Sequence, residues 1–394
     1  MLRVLTLSTL FPDRTRPGFG GFVERQTRAL AAHPDVEVKV VAPLAMPPTA
    51  LARRHPAYRA LAALPLREEW DGLDVRRPSF PALPLIGGRI NPWSLWWGLL
   101  PVLDALREEF AFDVIDTQFF YPDGPAAVRL GRRYGVPVSI KARGSDIHLW
   151  GHMPGCRGKI VAAGKAADGM LAVSAALRED MIAMGLPGDR VSVHHTGVDQ
   201  AMFRIQDRVT AKARLGVEGP LVVTVGNLIP LKGQALVIEA LRALPDVSLL
   251  IAGRGPDRDA LGAQITACGL QDRVRLLGAL PHAQLPGLLA AADVMALPSA
   301  SEGLANVWVE ALACGTPIVI TDVGGARELV DGPAAGRLVE RTPEAIAAGI
   351  AAVLGSPAPQ AEVAEAARGF TWERNGDALY AHLKQLVERR RQPG

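Results

Sequence analysis

Residues of three kinds in this chain could do chemistry together: a spaced pair of carboxylates, a lysine inside a glycine turn, and glycine runs that follow apolar segments. Glu302 and Glu310 stand in Pro298-Ser-Ala-Ser-Glu-Gly-Leu-Ala-Asn-Val-Trp-Val-Glu310. The first lies in or beside the mouth of a helix, and the second about two turns further down at roughly 1.5 Å of rise per residue. A helix that opens just after a parallel strand offers unpaired backbone N–H groups and a positive dipole end, which is an anion site and most often a phosphate site. Two carboxylates there would repel phosphate. They make better sense as acceptors for hydroxyl groups, as on a sugar and a ribose, with the amides taking the phosphate. Lys232 precedes Gly233 at the end of Gly226-Asn-Leu-Ile-Pro-Leu-Lys-Gly, where an ammonium can sit over a phosphate as a point charge. Gly20 and Gly21 sit between a first strand and a first helix. That is phosphate geometry again, with a tight turn that binds nothing as the plain alternative.

Elements that must position these residues are legible around them. The apolar runs Val294 to Leu297 and Ile318 to Thr321 are short and bounded by Gly or Pro, as buried parallel strands should be. Between them Val307, Trp308, Ala311 and Leu312 recur at helical spacing, Ser299 and Ser301 are candidate caps, and Gly315 and Pro317 supply the stop. The same alternation runs through the chain. Strands are expected at 3–8, 37–42, 113–116, 137–141, 170–173 and 191–194, and then again at 221–225, 248–252, 274–278 and 337–339. This is an α/β protein whose architecture restarts once.

Further polar groups fall at the carboxyl ends of these strands, where open α/β sheets bind ligands. Gln118 follows the strand at 113–116, and Arg143, Asp146 and His148 follow the strand at 137–141. A structural salt bridge or a satisfied histidine is the plain reading for each of those three. Arg254 stands in Gly253-Arg-Gly-Pro256, which lacks the third glycine of a dinucleotide fingerprint at the required spacing and has Pro256 intruding. Helices run from residue 340 to Phe370, and a last amphipathic helix carries Tyr380, Leu383 and Leu386 on one stripe.

Composition sets bounds. A chain of 394 residues suits two domains at ~150 residues each. Three cysteines, Cys156, Cys268 and Cys314, show neither paired nor metal-ligand spacing and fit a reducing cytoplasm. No structural metal is expected. The N-terminus reads as a strand rather than a signal sequence, and no apolar run of ~18 residues suits a membrane span. The first hundred residues hold 13 Lys or Arg against 8 Asp or Glu, an excess that can favour an anionic membrane surface or acceptor, with solvated surface charge as the default. The basic pairs Arg53-Arg54 and Arg76-Arg77 belong to it, and Trp93, Trp96 and Trp97 beside Arg89 make either an interfacial patch or a helix packed on the sheet.

The pattern Pro-Ser-x-x-Glu302-Gly-x-x-x-x-x-x-Glu310-Ala-x-Ala-x-Gly-x-Pro317, with Gly20-Gly21, Lys232-Gly233 and Gly253-x-Gly-Pro256, resembles the Glu-x7-Glu signature of retaining GT-B glycosyltransferases of family 4, group 1. The resemblance implies two facing Rossmann-like domains with parallel sheets and a terminal helix crossing back to the first domain. Boundaries are expected at 1–197 for an acceptor-binding domain, 198–370 for a nucleotide-sugar-binding domain and 371–394 for the helix. It implies a donor site of Gly20, Gly21, Gly226, Asn227, Lys232, Arg254, Glu310 and the backbone at Gly303, Leu304, Ala305 and Asn306. Glu302 would face the donor sugar and Glu310 the ribose hydroxyls. Glu302, Lys232 and Arg143 are the residues expected at the chemistry, and Gln118, Asp146 and His148 those expected at the acceptor. Where the family has Arg, this chain has Asn227, so Lys232, or another cation such as Arg254 or Arg143, must stabilise the leaving group. Where the family often has His, it has Gln118, which leaves only hydrogen bonding.

The implied activity is metal-independent, cofactor-free transfer of a sugar from a nucleotide-sugar to a hydroxyl of a glycan or lipid-linked acceptor, with retention, in cell-surface polysaccharide or glycolipid synthesis. Such an enzyme would work in the cytoplasm, with peripheral contact at the inner membrane face open and no nucleic-acid partner. A nucleotide-sugar epimerase on the same scaffold would release free sugar without an acceptor, and a non-catalytic nucleotide-sugar-binding subunit would turn nothing over. Truncation of Glu310 to alanine is expected to weaken nucleotide binding by ~1–3 kcal/mol through a lost hydrogen bond to a charged group. Calorimetric titration checks this, and an unchanged affinity contradicts the ribose role.

Overall fold

The structure is a computed structural model, and it describes residues 1–82 and 87–392, apart from the side chains of residues 51 and 87–89. The chain forms two compact units, Met1–Thr196 with Trp372–Gly394, and Gly197–Thr371. Both are α/β units built on a mainly parallel, Rossmann-like sheet.

In the first unit Leu2–Leu7 runs parallel between Val36–Val41 and Val114–Thr117. Beyond Val114–Thr117 the parallel order continues through Val138–Ala142 and Gly169–Ala172 to Val191–Val193. Strands covered by helices on both faces must be apolar almost throughout, and Val4, Leu5, Leu7, Val40, Val114 and Ile140 are accordingly buried. The helix Gly21–Ala31 and the terminal helix Trp372–Arg391 pack on each other. Leu379, Leu383 and Val387 join Val23 and Leu30 in one core, and Tyr380 stacks on His33 with ring centroids 3.7 Å apart.

The second unit is a six-stranded parallel sheet in the order Val274–Gly278, Ser248–Ala252, Leu221–Val225, Val294–Leu297, Ile318–Thr321, Gly336–Val339. Five of these strands begin and end where the apolar runs do, and the sixth starts one residue earlier. Its core is aliphatic, with Val222, Ile238, Leu249, Val294 and Ile350 buried between the sheet and its helices.

Three expectations are corrected. The region after residue 45 holds strands that were not expected: Leu44–Met46 pairs with Ser79–Pro81, and Arg67–Trp70 forms an antiparallel hairpin with Leu73–Arg76 on the sheet's edge. The Asp71-Gly72 turn has φ of 46° and 82°, the positive pair that a two-residue hairpin turn needs. Arg77 is not solvated charge. It is 1% exposed, and its guanidinium donates to Glu68 at 2.5 Å and to the Pro12 carbonyl at 2.7 Å. Ser299 and Ser301 do not cap the following helix, which spans Asn306–Ala313 behind Ala305. Backbone bonds from Ala300 to Leu231 and from Gly325 to Gly303 hold the intervening loop out of helical geometry.

In the tryptophan stretch the leucines pack inward and two of the tryptophans are exposed. Within the helix Gly87–Glu109, Leu95, Leu99, Leu103 and Leu106 are fully buried, while Trp93 and Trp97 are 52% and 53% exposed. The Arg89 side chain lies outside the described residues. No described helix is long and apolar enough to cross a membrane.

The terminal helix is also tied down by a histidine, since His382 Nε2 lies 2.9 Å from Ser139 Oγ. Burial, helped by the charges of Arg389 and Lys141, depresses its pKa to about 4. An unfolded histidine takes up a proton below about pH 6.5. The unfolded chain therefore binds more protons between about pH 6.5 and 4, and stability is lost as the pH is lowered through that window. Denaturant titration of His382→Gln against the wild type at pH 7 and pH 5 checks this. The wild type should lose about 2 kcal/mol more than the variant over that interval.

Candidate functional site

In the second unit, loops from four neighbouring strands meet at the carboxyl edge of the sheet. The loop after Leu221–Val225 carries Gly226, Asn227 and Lys232, and that after Val294–Leu297 carries Glu302 to Ala305. A Cβ on Gly233, at φ +76°, would lie 2.5 Å from the Pro298 carbonyl oxygen, so the two loops touch backbone to backbone there. Ala300 N–H donates to Leu231 O at 2.8 Å beside that contact. The turn after Ile318–Thr321 supports the second loop from the other side. A Cβ on Gly324 would lie 2.4 Å from Glu302 O, and Gly325 N–H donates to Gly303 O at 2.8 Å. Thr321 Oγ1 closes the arrangement on the Ser299 carbonyl.

These contacts put Lys232 Nζ in hydrogen-bonded ion contact with Glu302 Oε1, the two side chains being 17% and 11% exposed. The sequence suggested a phosphate as partner of the lysine; in the structure its partner is the Glu302 carboxylate. The helix Asn306–Ala313 begins just beyond with no side-chain cap and no acidic residue in its first turn. Its N-terminus therefore keeps its positive character. Leu304 and Ala305 are buried at 7% and 9%, which leaves main chain rather than side chain to meet a ligand.

Glu310 sits on this helix with its side chain 9% exposed, and His282 Nε2 lies 2.9 Å from its Oε1. The imidazole is seated edge-on against Phe203, ring centroids 5.0 Å apart. The carboxylate is thus oriented by one oxygen. Leu228 N–H donates to the Arg254 carbonyl at 2.9 Å, which brings the exposed Arg254 next to the exposed Asn227. A cavity of about 1170 Å³ opens at the opposite edge, around Pro220, Ser248, Arg273, Asp293 and Pro317 where the strands begin. Its Lys212 and Asp293 are paired at 2.5 Å.

In the first unit Gly20 has φ +70°, and a Cβ there would lie 2.5 Å from the Leu10 carbonyl carbon, whereas a Cβ on Gly21 would meet nothing within 4 Å. Gly20 is needed for the turn itself; Gly21 leaves its backbone approachable at the start of the helix. One turn into that helix Gln26 enters a buried polar network. Gln26 Nε2 and an Arg143 amino group each donate to Gln118 Oε1 at 2.5 Å, and Gln118 Nε2 donates to Asp116. Lys141 Nζ donates to Gln26 Oε1 at 2.7 Å and lies 2.6 Å from His194 Nδ1. His194 Nε2 in turn lies 2.9 Å from the Asn375 carbonyl. Burial drives the Lys141 and His194 pKa values well down and raises that of Asp116 to about 6. It also lowers Arg143 to about 10, so that guanidinium stays charged at neutral pH.

Two acceptor candidates lie in the interior. Gln118 is fully buried and both ends of its amide are used within the network, so it braces Arg143. Asp146 is equally buried, and its carboxylate accepts backbone N–H bonds from Phe120, Arg143 and Gly144 at 2.9 Å each. It organises the loop. His148 stays at the surface with its side chain 24% exposed and lies 2.9 Å from Asp180. Arg143 is partly exposed, with its guanidinium 4.8 Å from the centre of the Phe22 ring. Sequence reasoning missed Gln26, Lys141 and His194, whose only signal was a polar residue in an otherwise apolar strand or helix face. Among the described residues no cluster of three or more His, Cys, Asp or Glu could hold a metal ion.

Comparison with known proteins bears on family and fold. The family model described as glycosyl transferases group 1 matches residues 206–370, and that for glycosyltransferase family 4 matches residues 18–201. The chain is 31% identical over 314 residues to a D-inositol 3-phosphate glycosyltransferase of Xylanimonas cellulosilytica, covering 73% of this chain and 75% of that protein. It is 28% identical to the putative teichuronic acid biosynthesis glycosyltransferase TuaC of Bacillus subtilis, over 83% of each. With a D-inositol 3-phosphate glycosyltransferase of Segniliparus rotundus the identity is 38%, but the match spans about half of either protein, 50% of this chain and 47% of the other. The Anabaena protein HepE, in complex with UDP and glucose, has the same fold, with a TM-score of 0.74 over 98% of this chain and 100% of its own at 23% identity. Two family models that together cover both units, and a relative 31% identical over about three quarters of each chain, lead to one conclusion: the chain belongs to the group 1 glycosyl transferase family.

Proposed function

We propose that the chain moves a sugar from a nucleotide-sugar donor to a hydroxyl of an acceptor, with retention of anomeric configuration and without a metal ion. The observation that carries this reading is the placement of Lys232 and Glu302 at the mouth of an uncapped helix, with Glu310 held by His282 further along the same helix. On this reading the amides at 303–306 and Lys232 take the donor diphosphate, Glu302 the sugar hydroxyls and Glu310 the ribose diol. The bond from the anomeric carbon to the diphosphate breaks, the acceptor oxygen bonds to that carbon, and the acceptor proton leaves with the diphosphate. The protein's share is positioning and charge stabilisation. Asn227 removes one expected cation, and the neighbouring Arg254 is the replacement assigned here. Uridine is the favoured base because a protein of the same fold binds UDP.

Arg143 and His148 in the first unit are assigned to the acceptor. A lipid-linked acceptor is favoured by the exposed Trp93 and Trp97 on the helix Gly87–Glu109, with Arg129 about 6 Å from the rings of Trp93 and Trp96. Exposed tryptophan beside arginine suits the interfacial zone of an anionic bilayer.

Thermal stabilisation by UDP, GDP, ADP and CMP tests the donor assignment. A ligand at 100 times its dissociation constant should stabilise by about 2.7 kcal/mol, with UDP giving the shift and Glu310→Ala abolishing most of it. No shift with any nucleotide contradicts the reading. Lys232→Met should lower turnover of the accepted donor by about 100-fold, the scale of one lost transition-state charge contact, while the melting temperature stays close to that of the wild type. Equal loss of fold and activity would make the lysine structural. Flotation with vesicles containing anionic lipid checks the acceptor side: Trp93→Ser with Trp97→Ser should release the chain from the vesicles and leave UDP affinity unchanged.

A further inference from the structure

Arg341 follows the last strand of the second unit, Gly336–Val339, and precedes the helix Pro343–Gly355, whose Thr342 cap accepts Ala345 N–H at 3.2 Å. Strand end and capped helix together fix its backbone. Its side chain crosses the carboxyl edge and ends on main chain alone. Nε donates to the Pro298 carbonyl at 2.9 Å, and an amino group donates to the Pro230 carbonyl at 2.7 Å. Pro230 precedes Lys232 by two residues, and Pro298 precedes Glu302 by four. Each carbonyl belongs to a proline, which brings no N–H of its own. The same two loops already touch at Gly233 and Pro298 and are joined by the Ala300 to Leu231 bond. A planar guanidinium with donors in a fixed fork can hold two carbonyls at a set separation, which a lysine ammonium on a flexible stem cannot.

We propose that Arg341 is a positioning residue for the donor site, a clamp that holds the loop of Lys232 in register with the loop of Glu302. The proposal rests on the donor reading of those two residues. It assigns Arg341 no contact with the ligand: the guanidinium sets how far apart the lysine and the carboxylate stand, and so whether one diphosphate sugar can engage both. Pro230 is exposed, so its carbonyl can be hydrated once the side chain is removed, whereas Pro298 is buried and its carbonyl loses a donor.

Two measurements test the clamp, one of them without any ligand. In amide hydrogen exchange, Arg341→Met should speed exchange of the Ala300 N–H at least tenfold while the amide of Val223, inside the central strand, is unchanged; Arg341→Lys should lie between. An unchanged Ala300 rate overturns the clamp, and so does a rise spread evenly over the unit. In calorimetric titration with UDP, Arg341→Met should weaken binding about tenfold in the wild-type background and less than twofold in the Lys232→Met background, because its effect travels through the lysine. Equal losses in both backgrounds overturn the positioning role. If Lys232→Met itself leaves UDP affinity unchanged, the donor reading fails, and that failure is distinct from an intact donor site indifferent to Arg341.

Discussion

The candidate donor site depends on one steric constraint, the backbone contact between Gly233 and Pro298. Only a residue without a Cβ can approach that carbonyl, and only one at ease with φ +76° can turn the chain there. From that contact follow the Ala300 to Leu231 bond, the overlap of the two loops and the meeting of Lys232 with Glu302. Parallel strands Leu221–Val225 and Val294–Leu297 are direct neighbours in the sheet, so their outgoing loops emerge side by side, and glycine lets them close the remaining gap. The ion pair is therefore a consequence of sheet order, and the sheet order of apolar strand runs buried on both faces.

Electrostatically the two units solve similar problems in different ways. In the second unit each glutamate has one basic neighbour, Lys232 for Glu302 and His282 for Glu310, and each pair retains some exposure. Partly exposed pairs can exchange partners for a ligand at modest cost, since neither side chain is fully desolvated. In the first unit Lys141, Asp116 and Gln118 are wholly buried. That network has no partner to give up, and it fixes Arg143 as a charged group presented from a rigid base. Buried networks of this kind are costly where a member is left unsatisfied; the amides of Gln26 and Gln118, which donate and accept at once, satisfy most of this one, and Asp116 Oδ1 is left without a hydrogen-bond partner.

Much of this was legible in the residues. The six strands of the second unit could be read almost to the residue, because short apolar runs between Gly and Pro have few alternatives inside a parallel sheet. Glu302, Glu310 and Lys232 stood out by spacing. What escaped was of two kinds. The hairpin at residues 67–76 is a polar edge whose Asp71-Gly72 turn was the one available signal. The roles of Gln118, Asp146 and Arg341 depend on main-chain or side-chain partners that nothing local announces; Arg341 reaches a carbonyl 111 residues away. Position at a strand end drew attention to Gln118 and Asp146 and could not say whether they faced a ligand or the loop beneath it.

On the donor reading a nucleoside diphosphate lies across the Lys232 and Glu302 loops with its ribose on Glu310, and a crystal structure of the chain grown with UDP tests this. Diphosphate density should lie at the amides of 303–306 within hydrogen-bond reach of Lys232, and ribose hydroxyls on the Glu310 carboxylate. Density at the opposite edge of the sheet, in the cavity around Arg273 and Asp293, or a ribose held without Glu310, would contradict it.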